Sequence, residues 1–281
     1  MFNALSCPLD GAPLTPQAHS WRCPAGHCFD VAREGYLNLL PVQRKRSLDP
    51  GDSKEMVAAR RRYLGAGFYQ PIADKVADWA LADVVAGARR ACLDAGCGEG
   101  FYLNAVLARA AAAGCDVQAV GLDILKWAVI AAAKAQREAR WLVGTNAALP
   151  IVSGTLDRLM CLFGFPVFDE FARVLKSGGE LLMVDAGPDH LRELREIIYP
   201  RLKTPRESTL TVGEAFVPVS EETLRFPIRL GDNATISDLL VMTPHLYRAP
   251  PEGRARAAAP TALDLTADRL GRVLLGLRGS T

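Results

Sequence analysis

No run of about 18 uninterrupted apolar residues occurs in the 281-residue chain, so nothing in it reads as a membrane-spanning helix. The stretch from Met1 to Gly11 has neither a basic start nor an apolar run before a cleavage site, and the expectation is a cytoplasmic protein. Neither sign of charge is in excess. The 33 Lys+Arg against 31 Asp+Glu leave a formal +2, which excludes a global field for nucleic acid or an acidic membrane and confines any basic surface to a patch. The seven cysteines are odd in number and lack the density of a disulfide framework, which fits a reducing compartment. No repeat of 20 to 50 residues is visible. What is present is a globular composition, 49% hydrophobic and 23% charged, with Gly and Pro near average use. The length exceeds what one α/β core usually needs and is too short for three domains, so a large domain with a smaller attachment is expected.

Residues 1–40 combine a Cys/His cluster with three prolines before residue 20, which predicts a small module of a few short strands. Residues 41–52 read as a charged linker, and the span 41–87 continues into two helices. The first carries Met56, Ala59, Tyr63 and Leu64 behind a Ser53 N-cap; the second runs from Ile72 to Val85. From residue 88 to 281, strand and helix alternate. Strands are expected at 91–95, 117–122, 140–143, 156–163 and 180–184, and helices at 102–113, 125–139, 168–175 and 190–199. Such alternation implies a parallel sheet wrapped on both faces, an α/β Rossmann-like architecture. For the tail from Leu263 to Leu277 both strand and helix readings stand.

The most informative stretch is Leu93-Asp94-Ala95-Gly96-Cys97-Gly98-Glu99-Gly100, which ends a strand and opens a helix. Alternate glycines let the backbone turn tightly and approach a ligand where any Cβ would obstruct it, although tight turns also use glycine for purely structural reasons. Asp123 ends the next strand, where a carboxylate either accepts both hydroxyls of a ribose or caps the following helix. Asn146 and Ala147, after the third strand, stand where a purine edge would lie. A dinucleotide site would show Gly-x-Gly-x-x-Gly; the spacing here resembles the S-adenosylmethionine loop of class I methyltransferases over residues 88–185. By that resemblance Gly96, Gly98 and Glu99 lie along the methionine portion, Asp94 suits its cationic amino end, Asp123 takes the ribose and Asn146 sits by the adenine.

Cys7-Pro-Leu-Asp10 and Cys23-Pro-Ala-Gly-His27 have the spacing of a zinc knuckle, with Asp10 where a fourth sulfur or nitrogen is expected. Either Cys7, Asp10, Cys23 and His27 hold Zn2+ weakly, or the module is metal-free and Asp10 hydrogen-bonds to His27 or to backbone amides. Cys28 is a substitute thiolate only if adjacent residues reach one tetrahedron.

Phe29-Asp30-x-Ala32-x-Glu34-Gly35-Tyr36-Leu37-Asn38-Leu39-Leu40-Pro41-Val42-Gln43, then Asp49-Pro50-Gly51-Asp52-Ser53, Arg60-Arg61, Tyr69-Gln70-Pro71, Gly187-Pro188-x-His190-Leu191 and Met242-Thr243-Pro244 follow in order. Together they resemble the bacterial 23S ribosomal RNA guanine-N1 methyltransferases of the RlmA type. The resemblance implies a zinc-ribbon-like RNA-recognition module over residues 1–40, joined to a methyltransferase domain that acts as a homodimer on 23S rRNA. It also implies cofactor contacts at Tyr69, Gly98, Glu99 and His190. Two departures stand out: Asp10 for a cysteine, and Leu162-Phe163-Gly164-Phe165-Pro166 where an aromatic-small-Pro motif would face the target base. These leave room for a small-molecule methyltransferase or a silent RNA-binding factor on the same scaffold.

Methyl transfer from a sulfonium needs alignment and dryness more than a nucleophile, and no Ser/His/Asp triad is evident. Guanine N1 lies on the Watson–Crick edge, so the base must be unpaired or turned out. Phe163 and Phe165 either stack on it or pack a core. Asp185 is either the acceptor of the N1 proton or, more in keeping with its place, a helix N-cap. Arg44, Lys45, Arg46, Lys54, Arg60, Arg61 and Arg62 against Asp49, Asp52 and Glu55 form a candidate phosphate-binding patch or simply a solvated face.

Overall fold

Prolines and turn residues keep the first strands short. β1 (Thr15–Pro16), β2 (Ser20–Arg22) and β3 (Cys28–Asp30) form a small antiparallel sheet in which Trp21 pairs with Phe29. The computed structural model describes residues 1–41, 52–202, 212, 214–243, 245, 247 and 249–277. Most of the expected linker, including Arg44, Lys45 and Arg46, lies outside them, as do Gln43, Asp49 and Pro244.

After the small sheet the chain gives β4 (Tyr36–Asn38), α1 (Lys54–Gly65), α2 (Gln70–Ala80), β5 (Arg89–Ala95), α3 (Phe101–Ala112), β6 (Asp116–Asp123), α4 (Lys126–Ala135) and β7 (Arg140–Val143). There follow β8 (Leu156–Leu162), α5 (Phe168–Val174), β9 (Leu175–Ala186), α6 (Arg192–Ile198), β10 (Phe216–Leu230), α7 (Asn233–Met242), α8 (Pro251–Ala258) and β11 (Leu263–Gly276). The second sheet has the order β10-β11-β9-β8-β5-β6-β7-β4. β9, β8, β5, β6, β7 and β4 run parallel, and β11 is antiparallel to both its neighbours. The expected doubly wound sheet is thus present. Its parallel strands are buried on both faces, which is why β5, β6 and β8 are nearly continuous apolar runs after their first residues.

Helices α1–α4, α6, α7 and α8 cover one face, around Tyr63, Val76, Leu103, Val129 and Trp141. The other face lies under α5 and the N-terminal module, where Phe2, Leu5, Leu14 and Trp21 share a core with Leu93, Leu122 and Leu159. The module is therefore packed into the main core, and its last strand, β4, extends the large sheet beside β7. At the opposite edge β10 is mostly exposed and carries Pro218, Pro227, Glu221, Glu222 and Arg225, residues that discourage further strand addition.

Ser53 caps α1 as expected, its hydroxyl accepting from the Met56 amide at 3.2 Å. The tail at 263–277 takes the strand alternative: Leu265, Ala267 and Leu274 are buried and β11 is hydrogen-bonded to both β9 and β10. Two expected helix bounds are corrected. The helix expected to reach residue 139 ends at Ala135, where Gln136 turns extended and its carbonyl accepts the Trp141 indole N–H at 2.7 Å. The helix expected from His190 begins at Arg192, leaving His190 in the turn before it.

Candidate cofactor and substrate cleft

Three strand ends converge above the sheet. After β5, Gly96, Gly98 and Gly100 adopt φ of 99°, 54° and 84°, the left-handed region that glycine enters without strain. A Cβ on Gly96 or Gly98 would meet no protein atom within 4 Å, so the space over the loop is open. A Cβ on Gly100 would collide with the Trp141 ring. The loop is pinned from below, with the Gly96 and Cys97 amides donating to the Leu122 carbonyl at 2.8 and 3.0 Å. From β6, one Asp123 oxygen accepts the Gly98 amide and the other the Leu125 amide, both at 2.8 Å. Asp123 therefore holds the loop and the start of α4 together, and each oxygen keeps a further lone pair. Asn146 donates to the Ala95 carbonyl at 3.5 Å and the Phe165 carbonyl at 3.4 Å, tying the third strand end to the first and fourth.

Two carboxylates lie below and beside this loop without partners. Asp94 is 1% exposed, and neither of its oxygens has a hydrogen-bond partner among the described residues; Glu99 is buried in the same condition. Burial, with Asp123 adding repulsion, pushes the Asp94 carboxyl up to about 8. Burial also raises Glu99, while the nearby Arg60 guanidinium opposes the rise. Unsatisfied buried carboxylates are costly, and a cationic or amino-bearing ligand over the glycine loop would satisfy them.

The side chains that flank the far wall also meet. The Tyr69 hydroxyl is 3.3 Å from His190 Nε2, and the Asp268 amide donates to His190 Nδ1 at 3.3 Å. Nδ1 being the acceptor, the network assigns the proton to Nε2. Burial, reinforced by the Arg269 charge, lowers the His190 pKa to about 2, so the imidazole is neutral. Phe163 follows β8 with φ of 56° and Leu191 follows His190 with φ of 50°; both are strained non-glycine positions beside the cleft. Phe163 is half-exposed and Phe165 is 90% exposed, so neither is a core aromatic.

Asp185 does not cap a helix. It lies in β9, pairs with Arg272 at 3.6 Å, and Leu191 occupies the N-cap position of α6. Burial raises its pKa, with Arg272 and Arg269 opposing. The basic patch also resolves differently from the expectation. Arg60 pairs with Asp52 and turns toward Glu99 and Asp123, Arg62 binds Asp238 at 2.9 Å, and Lys54 stacks 3.8 Å over Trp127. Of the described members Arg61 alone stands exposed without such a partner shown.

In the N-terminal module the ligand atoms of Cys7, Asp10, Cys23 and His27 lie within 4.8 Å of one another. Cys7 Sγ and Cys23 Sγ are 3.5 and 3.3 Å from His27 Nδ1, and Asp10 Oδ2 is 3.0 Å from it. Those separations match the edges of a tetrahedron around zinc, with metal–sulfur bonds of about 2.3 Å and metal–nitrogen or –oxygen bonds of about 2.0–2.2 Å. Asp10 also accepts the Ala12 amide at 2.9 Å, the contact that does most to hold its carboxyl low. Exposed Cys28 is not among the four.

Arg269 was not legible as a site residue. Its guanidinium lies 4.3 Å over the Phe163 ring and 5.0 Å over Tyr69. The available signal was the alternation Leu265, Ala267, Arg269, which in a strand puts an arginine on an apolar face.

The sheet with its antiparallel β11, the glycine loop and the carboxylates define a class I, S-adenosylmethionine-dependent methyltransferase. The RlmA N-terminal zinc-ribbon family matches residues 5–48 and a methyltransferase domain family matches residues 92–179. The chain is 34% identical to a 23S rRNA (guanine(748)-N(1))-methyltransferase of Streptomyces fradiae, over 91% of this chain and 90% of that one. It is 30% identical to a putative 23S rRNA (guanine-N(1)-)-methyltransferase of Bacillus subtilis over 99% and 98% of the two chains. A third relative, a putative 23S rRNA (guanine-N(1)-)-methyltransferase of Micromonospora griseorubida, is 33% identical over 91% of each chain. The chain belongs to the RlmA-type methyltransferase family.

Proposed function

We propose that this protein transfers the methyl group of S-adenosylmethionine to N1 of a guanine in 23S rRNA. The observation that carries the reading is the pair of buried, unpartnered carboxylates, Asp94 and Glu99, beside an open glycine loop, with the exposed rings of Phe163 and Phe165 just past the end of the neighbouring strand β8. The donor supplies an electrophilic methyl on a sulfonium. Asp94 and Glu99 receive its amino end, Asp123 offers its remaining lone pairs to the ribose, and Asn146 fixes the wall on which the adenine rests. Tyr69 and His190 close the methionine end, His190 acting as a neutral hydrogen-bonding group. Phe163 and Phe165 stack on the extruded base, which aligns N1 and keeps water out; such stacking is worth about 1–3 kcal/mol per base. Asp185, at the end of β9, is a candidate to take up the N1 proton.

Cys7, Asp10, Cys23 and His27 would hold one zinc ion, which would rigidify the module's loops. The module, rather than α1, whose Arg60 turns inward and whose Arg62 is paired with Asp238, is the surface we assign to RNA recognition, and the working form is taken to be a homodimer. A strain lacking the gene tests the reading. Primer extension on its large-subunit RNA should lose one stop that the intact strain shows. An unchanged stop pattern would remove the rRNA assignment and favour a small-molecule acceptor.

A further inference from the structure

Arg269 presents a buried cation with no ion-pair partner among the described residues; Asp185 feels its charge but pairs with Arg272. It is 6% exposed, its Nε has no hydrogen-bond partner, and no described carboxylate lies in ion-pair range. Arg272, three residues along β11, has two carboxylates in ion-pair range by contrast, Glu221 at 2.8 Å and Asp185 at 3.6 Å. Burying a lone charge is expensive, and the rings of Phe163 and Tyr69 offset only part of that cost. The groups around it are Tyr63 and Tyr69 from the α1–α2 region, Tyr102 from α3, His190 from the turn after β9, and Asp185 from β9 itself. Burial raises the three phenols and lowers the imidazole, so these four are neutral at working pH.

Its place in the sheet sets its backbone apart from the cofactor strand. The glycine loop leaves β5, whereas Arg269 pairs with Ala186 across β11 and β9, three strands further along the order β5-β8-β9-β11. At about 4.8 Å per strand the Arg269 backbone stands on the order of 14 Å from the cofactor strand, and the side chain reaches back to lie between Phe163, on the acceptor side, and Tyr69, at the methionine end.

We propose that Arg269 receives O6 of the target guanine; this rests on the guanine-N1 reading above. Guanine N1 carries a proton and has no free lone pair for attack. The N1 proton leaves through Asp185 to solvent, the negative charge spreads over N1, C6 and O6, and the guanidinium bonds to O6. N1 then forms its bond to the methyl carbon as the carbon–sulfur bond breaks, and sulfur departs with the electron pair as a neutral thioether. The same guanidinium rejects adenine, whose 6-amino group presents donors to a donor.

The test is single-turnover methylation of a 23S rRNA transcript between pH 6 and 10, with saturating S-adenosylmethionine, by the full-length wild type and by Arg269→Gln and Arg269→Lys. Cofactor affinity is measured in parallel by calorimetry. The wild-type rate should reach its plateau at a lower pH than the ionisation of free guanosine titrated alongside. Arg269→Gln should bind cofactor within about twofold of wild type, react about 100-fold more slowly at pH 7, and need about one pH unit more to reach its plateau. Arg269→Lys should recover part of both losses. A wild-type profile that follows free guanosine overturns the proposal whether or not the variants fold. So does a variant profile that is unshifted, or a variant loss confined to cofactor affinity, which would make Arg269 a cofactor-carboxylate anchor. A wild type that methylates no guanine N1 overturns the parent reading as well, and that result is distinct from an active wild type with an indifferent Arg269.

Discussion

The Gly98 amide donates to the Asp123 carboxylate at 2.8 Å, so the acidic residue at the end of the second strand holds the ligand loop of the first. Because the other Asp123 oxygen takes the Leu125 amide, the same side chain also starts α4. Asp123→Ala should therefore do two things: weaken S-adenosylmethionine binding by about 1–3 kcal/mol and lower the melting temperature of the ligand-free protein. Calorimetry and thermal unfolding check the pair. Reduced affinity with unchanged melting would leave Asp123 as a ligand contact only.

Asp94 works against folding for the sake of binding. Its folded carboxyl titrates near 8 against a reference of 3.8. The folded state therefore retains a proton that the unfolded state has lost, and stability falls as pH rises from about 4 to 8. Asp94→Asn should melt higher than wild type at pH 8, by several degrees if about 1–2 kcal/mol is recovered, and should bind cofactor more weakly. Binding to the wild type at pH 7 should release a proton, visible as a calorimetric enthalpy that changes with the ionisation heat of the buffer. A buffer-independent enthalpy would contradict the assignment.

His190 follows the opposite sign. Its folded pKa lies near 2, far below the usual 6.5, so the unfolded chain takes up a proton that the folded one refuses. Stability is present in full above about 6.5 and declines as pH drops below it. His190→Gln should flatten that decline in urea unfolding between pH 7.5 and 5. Imidazole NMR signals that titrate between pH 5 and 7 in the folded wild type would show His190 to be ionisable after all.

The zinc cluster makes a prediction about Asp10. A carboxylate oxygen replaces the thiolate that structural sites prefer, so Asp10→Cys should retain the metal against a chelator that strips the wild type. Metal analysis after graded chelation reads the difference. Equal retention would mean that Asp10 ligates as well as a thiolate, and no metal in either protein would favour the hydrogen-bonded, metal-free module.

Much of this architecture is readable along the chain because local and tertiary preferences agree there. The parallel strands are buried apolar runs, Ser53 caps its helix, and Gly98 and Gly100 stand where the backbone turns left-handed. Legibility fails where a residue's partner is distant in sequence. Arg60 belongs to a basic run by composition, yet Asp52 and the cleft carboxylates turn it inward. Asp185 resembles a cap by position and instead meets Arg272, a residue of β11 whose strand pairing no local period reveals. Asn146 reads as a purine contact, and the fold shows it bridging two loop carbonyls.

The most direct measurement uses the purified full-length protein, large-subunit RNA from a strain lacking the gene, and S-adenosylmethionine carrying an isotopically labelled methyl group. Nucleosides released from the RNA are resolved by mass spectrometry. Label in 1-methylguanosine, at one site per RNA and absent with Asp94→Asn, is the predicted result. Label in another nucleoside, or none despite measured cofactor binding, would contradict the account.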